Sequence, residues 1–248
     1  MKRAFFVLIF LASFLFGESI NVAAAANVSY AIGDLIKSFN KLHPDVKVRV
    51  TLGSSGKLTA QIEHGAPYHI FMSADLKYPQ TLYKKGIALS KPLVYAKGSL
   101  ALFSVKKRDF SKGLYILEDK DIKKIAVANP KTAPYGKAAF EALRNAFLLD
   151  KVKNKLIFGE SVSQTTAYAL KAADIGLIAK SALYSPLMKR FKEKENWIEV
   201  DHKLYEPIKQ GAVIVNKGIK SKGAKEFFEF LSSKEAKEVF RNYGYLID

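Results

Sequence analysis

The sequence predicts an α/β protein of two lobes, each a mixed sheet wrapped by helices. Two observations carry that class. Short apolar runs alternate along the chain with segments whose apolar residues recur at i, i+3 and i+4, the pattern of strands covered by helices on both faces. The chain has 248 residues, 49% of them apolar. The roughly 229 residues past position 19 are many for one open sheet and suit two cores.

Met1-Lys2-Arg3 opens the chain, followed by an apolar run from Ala4 to Phe16 broken only by Ser13. Thirteen such residues make about 20 Å of helix, short of the roughly 30 Å of a bilayer core. With the small residues Gly17 and Ser19 behind it, the run reads as a signal peptide over residues 1–19, cut after Ser19. No cysteine follows to take a lipid, so the mature product is expected to be soluble and periplasmic.

Ile20–Ala25 then reads as a buried strand, leading into a helix with Ile32, Leu35, Ile36, Phe39 and Leu42 on one face, stopped by Pro44. Val46, Val48, Val50 and Leu52 alternate with polar residues as a half-exposed strand. A helix from Gly56, a strand over His69–Ser73 and a helix ended by Gly86 follow. Further strands are expected at Leu100–Val105, Ile125–Ala128, Leu156–Phe158, Ile175–Ala179 and Ala212–Val215. Helices fit Lys137–Leu149, Gln164–Ala172, Lys222–Leu231 and Lys234–Arg241. No internal repeat is visible.

Two segments look like crossings between lobes: Pro92–Ser99 and Glu206–Gly211. They divide the chain into a first lobe of 20–93 and 212–248 and a second of 94–211. A double crossing is a hinge, and the cleft it opens and closes is the natural ligand site.

Composition excludes several classes. The absence of cysteine removes disulfide scaffolds, thiolate metal sites and cysteine nucleophiles. His43, His64, His69 and His202 show no metal-ligand spacing, and no G-x-S-x-G elbow is present. Carboxylates such as Glu193 and Glu195 lie among lysines as solvated surface. The chain is not expected to be an enzyme. Forty Lys+Arg against 23 Asp+Glu leave a net charge of +17, which would suit an acidic partner. The lysine runs are scattered and not interleaved with aromatics, so nucleic acid is not expected.

The polar residues that stand out sit where strands hand over to helices: Asn27, Gly53-Ser54-Ser55-Gly56, Thr132–Gly136 and Glu160–Ser163. A helix N-terminus presents unpaired N–H groups and about half a positive charge, so it attracts anions. Each loop alone could be no more than a helix cap. The G-S-S-G loop is not a nucleotide P-loop, because Thr51 and Leu58 stand where that motif needs Gly and Ser or Thr.

The segments "VAAAANV", "FNKLHPDVKVRVTLGSSGKLTAQIEHGAPYHIFMSAD", "NPKTAPYGKAAFEAL", "GESVSQTTAYAL…DIGLIA" and "FRNYGYLI", in this order, resemble the periplasmic molybdate-binding proteins of ABC importers. The resemblance runs over nearly the whole mature chain, and "GSSGKLTAQIEHGAP…IFMSAD" is its most specific piece. It implies a type II periplasmic-binding fold, two α/β lobes on a two-stranded hinge, with a tetrahedral oxyanion, molybdate or tungstate, in the cleft. It also implies a membrane permease as partner and no cofactor; a monomer is expected. By position it implies oxyanion donors at Asn27 (side-chain amide), Ser55, Tyr135 (backbone N–H or hydroxyl) and Val162 (backbone N–H). Some relatives add a tyrosine hydroxyl where this chain has Ala179.

Donor-only loops suit such ligands. Molybdate and tungstate are fully deprotonated near neutral pH and only accept hydrogen bonds. Phosphate retains protons and would call for a carboxylate, which only Glu160 could supply. Sulfate, also aprotic, is the alternative that donor chemistry leaves open.

Overall fold

The computed structural model describes residues 17–247. The apolar run expected to be the signal peptide lies outside the described residues up to position 16. Ten strands form two five-stranded mixed sheets. The first contains β1 (Glu18–Ala25), β2 (Val46–Gly53), β3 (Ile70–Ser73), β4 (Leu93–Gly98) and β10 (Ile208–Ile214). The second contains β5 (Leu100–Phe103), β6 (Ile125–Ala128), β7 (Leu156–Gly159), β8 (Ile175–Ala179) and β9 (Trp197–Glu199).

The strand orders, β2-β1-β3-β10-β4 and β7-β6-β8-β5-β9, follow one plan. In each sheet a parallel triplet is extended by an antiparallel strand, β10 in the first and β5 in the second. That strand in turn pairs antiparallel with an outer one, β4 or β9.

Helices cover both faces. On the first sheet, α1 (Ile32–Leu42), α7 (Lys222–Phe230) and α8 (Lys234–Asn242) pack on one side. The other side is closed by α2 (Ser55–Glu63) and α3 (Lys77–Lys84). On the second, α4 (Pro134–Asn145) and the short α5 (Leu149–Val152) face α6 (Val162–Lys171) across the sheet. Strand alternation explains why the central strands are apolar throughout. Val22 and Ala24 enter one core while Ala23 enters the other, and Ile125 and Val127 are likewise separated from Ala126.

The structure differs from the sequence reading in several places; β9 was not expected, and β10 starts at Ile208 and not at Ala212. Strand β4 lies inside the segment read as a crossing; it is the last strand of the sheet, paired with β10 and bridged at Lys97 to Leu246 on its other side. Strand pairing therefore keeps 93–98 and 208–214 in the first sheet, and the chain changes sheet between Gly98 and Leu100 and returns between Glu199 and Ile208. Helix α4 starts at Pro134, three residues before Lys137, because proline's fixed φ suits the first helical position. Helix α6 starts at Val162, two residues before Gln164, with Ser161 as its cap: the Ser161 hydroxyl accepts the Gln164 N–H.

At the N-terminus, β1 begins at Glu18, inside the 1–19 segment. The Glu18 carboxylate accepts the Gly223 N–H at 2.7 Å and the Ser221 hydroxyl, closing the N-terminus of α7.

The first lobe's core is keyed by Phe39, fully buried and edge-on to both Phe227 and Phe230. Phe39→Ala is expected to lower unfolding free energy by about 3–5 kcal/mol, read as a shift in the denaturant midpoint.

Candidate functional site

The carboxyl ends of the two parallel triplets converge on one small chamber, the place where open α/β sheets bind ligands. From the first sheet come Ala25–Asn27 after β1, Gly53–Ser55 after β2 and Ala74 after β3. From the second come Ala133–Tyr135 after β6 and Ser161 and Val162 after β7. All four residues expected from the sequence, Asn27, Ser55, Tyr135 and Val162, line this wall. They are 0%, 1%, 2% and 4% exposed, so any hydrogen bond they make to a ligand is made out of water.

Each stands in the first turn of a helix, not in the loop before it. Asn27 is second in a 3-10 turn over Ala26–Tyr30, Ser55 opens α2, Tyr135 is second in α4 and Val162 opens α6. N–H groups at such positions have no acceptor within their helix. Among the described residues no other protein group accepts from these four N–H groups. Ser55 Oγ accepts the Ala74 N–H at 3.0 Å, which leaves its own proton to be donated.

Two side chains depart from the expectation. The Asn27 amide does not offer its hydrogens to the chamber: Nδ2 donates to Gln210 Oε1 at 2.8 Å and to Tyr245 Oη at 3.0 Å. The donor that Asn27 presents is its backbone N–H. The Tyr135 hydroxyl is buried without a hydrogen-bond partner beside Gln210, packed over Gly98. Gly98 has to be glycine there, since a Cβ would collide with that hydroxyl. Burial pushes the phenols of Tyr95, Tyr135 and Tyr245 well above the usual range and that of Tyr205 up to about 12, so all stay protonated donors at neutral pH. Ala179 ends β8 opposite Leu100 and is not part of the chamber wall.

The sequence reading named Ser54 with its loop but not among the oxyanion donors; its hydroxyl is buried, unpaired and on the chamber wall. It caps no helix N–H, unlike Ser161. Its signal was present, as the first serine of the G-S-S-G loop.

No charged side chain lines the chamber. Glu160 pairs with Lys57 at 2.8 Å, both over half exposed, a contact contributing at most about 1 kcal/mol. Asp75 is held by the Ser73 hydroxyl and the Tyr78 N–H, and burial raises its carboxyl.

The lobes are stitched together around the chamber. The Gly56 N–H donates to Thr132 O at 2.9 Å, Ser163 Oγ to Ala26 O at 2.7 Å and Ser181 Oγ to Asn27 O at 3.1 Å. In a trans peptide the carbonyl and the N–H point in opposite directions. Ser163, by holding the Ala26 carbonyl, therefore helps aim the Asn27 N–H.

The chain matches the bacterial extracellular solute-binding protein family over residues 20–246. It is 35% identical over 229 residues to the molybdate-binding protein ModA of Azotobacter vinelandii, covering 91% of this chain and 89% of that one. It is 35% identical over 204 residues to ModA of Rhodobacter capsulatus, covering 81% and 78%. The solved structure of the Azotobacter vinelandii periplasmic molybdate-binding protein superposes with a TM-score of 0.85 at 31% identity, covering 92% of this chain and 99% of that one.

Proposed function

We propose that this chain, which belongs to the bacterial extracellular solute-binding protein family, captures molybdate or tungstate and delivers it to the membrane permease of an ABC importer. A protein of this family is a transport component and not an enzyme. The observation that carries the reading is the set of four unpaired backbone N–H groups, two from each lobe, on one uncharged buried wall. The relatives named molybdate-binding proteins support the choice of anion.

The mechanism follows from the donors. Asn27, Ser55, Tyr135 and Val162 give N–H bonds, with the Ser55 hydroxyl beside them, and each bond to a charged oxygen contributes roughly 1.5–3 kcal/mol. Closing the lobes around an empty chamber would strand those N–H groups, at about 1–3 kcal/mol each. An oxyanion removes that penalty and so favours the closed state, which the permease then recognises. No carboxylate stands in the wall to accept a proton from phosphate, and Glu160 faces Lys57 instead. The protein acts as a monomer in the periplasm. The leader is removed after Ser19, so the Glu18 contacts to Ser221 and Gly223 belong to the precursor.

In a thermal-shift panel of mature protein with molybdate, tungstate, sulfate, phosphate and thiosulfate, the two metal oxyanions should stand out. A ligand at one hundred times its Kd adds about 2.7 kcal/mol to stability. A shift with sulfate as large as with molybdate overturns the assignment. Ser55→Ala should weaken molybdate binding at least about tenfold in a calorimetric titration, and unchanged affinity would remove Ser55 from the site. Intact mass measurement of the exported protein should find a chain that begins at Ile20.

A further inference from the structure

We propose that Gln210 is a positioning residue for the oxyanion site, fixing the Asn27 turn so that affinity depends on a side chain outside the chamber wall. Gln210 is completely buried in β10, where the register with β4 shifts between Gln210 and Gly211. Its Nε2 donates to Ile208 O at 3.1 Å. A backbone carbonyl can only accept, so that bond decides which end of the Gln210 amide is nitrogen. The oxygen end then faces Asn27 and accepts from Nδ2 at 2.8 Å.

Asn27 is held a second time by Tyr245, whose Oη accepts from the same Nδ2 and donates to Asn27 O at 2.9 Å. The far side of Gln210 meets the second lobe: a Cβ placed on Gly98 would be 2.8 Å from Gln210 Nε2 and in collision with Tyr135 Oη. One amide on the returning strand thus bonds a chamber residue of the first lobe and lies beside one of the second. Removing its polar atoms frees the Asn27 amide to turn and loosens the peptide whose N–H faces the ligand. The inference rests on the oxyanion reading of the chamber.

The test is calorimetric titration with molybdate at pH 5 and pH 8, using native protein, Gln210→Met and Gln210→Glu, each compared with native at the same pH. Methionine keeps the length, supplies no donor and only a weakly accepting sulfur, and should bind at least about tenfold more weakly at both pH values. A protonated glutamic acid reproduces the amide, with O–H for Ile208 O and C=O for Asn27 Nδ2. Its ionised form offers Ile208 O no donor, and burial raises its pKa. Gln210→Glu should therefore bind within about threefold of native at pH 5 and at least about tenfold more weakly at pH 8. The titratable groups around Tyr135 here are the phenols of Tyr95, Tyr205 and Tyr245, all raised by burial, so they contribute no titration in that range.

Native affinity in Gln210→Met, or a Gln210→Glu deficit equal at both pH values, overturns the inference. Should Gln210→Met fail to fold, the Gln210→Glu ratio decides alone. Native protein that binds neither molybdate nor tungstate overturns the functional assignment and this inference with it; native binding beside an unaffected Gln210→Met overturns only the latter.

Discussion

The constraint on which the molecule depends is the unpaired N–H group at a helix start. Each lobe is arranged so that the carboxyl ends of its parallel strands point at the same place, and the turns that follow leave their first amides free. A single such terminus attracts anions only weakly in water. Termini from both lobes on one dry wall are different, because each amide has already lost its water when the lobes meet. Selectivity for charge then needs no formal positive charge at the site. The +17 of the whole chain is carried elsewhere, on a surface where scattered lysines largely pair with neighbouring carboxylates or face solvent.

The part of the fold legible in the sequence was the part governed by local periodicity. Phe39 and its partners at i−4 and i−3 announced α1, and the apolar runs at Ile125 and Ile175 announced central strands. What escaped was decided by pairing. Leu93–Gly98 has a glycine, a lysine and a proline at its approach, and becomes a strand because β10 lies beside it. The three-residue β9 is a strand by its pairing with β5. The similar orders of the two sheets left no repeat in the sequence, since β-sheet order is set by long-range contacts that many residues satisfy.

The site divided in the same way. The loops were readable because strand-to-helix handovers can be located from patterning alone, and Asn27, Ser55, Tyr135 and Val162, named through the family resemblance, do meet at one wall. Side-chain direction was not readable. Nothing local to Asn27 reveals that its amide is engaged by residues 183 and 218 positions away. Gln210 lay in a segment read merely as a connection, and Tyr245 in a terminal run with no chemical signature of its own.

A wall made wholly of neutral dipoles has a consequence for unloading. If an oxyanion is held here as proposed and the lobes part, water could replace it at each amide one at a time, and the departing ion would leave behind no guanidinium or ammonium needing a new counterion. On the proposed reading, release would be governed by shape, and a membrane partner able to pry the lobes apart would need no substitute anion to discharge the cargo. A cationic clamp would attract more strongly from afar and surrender its guest far less readily.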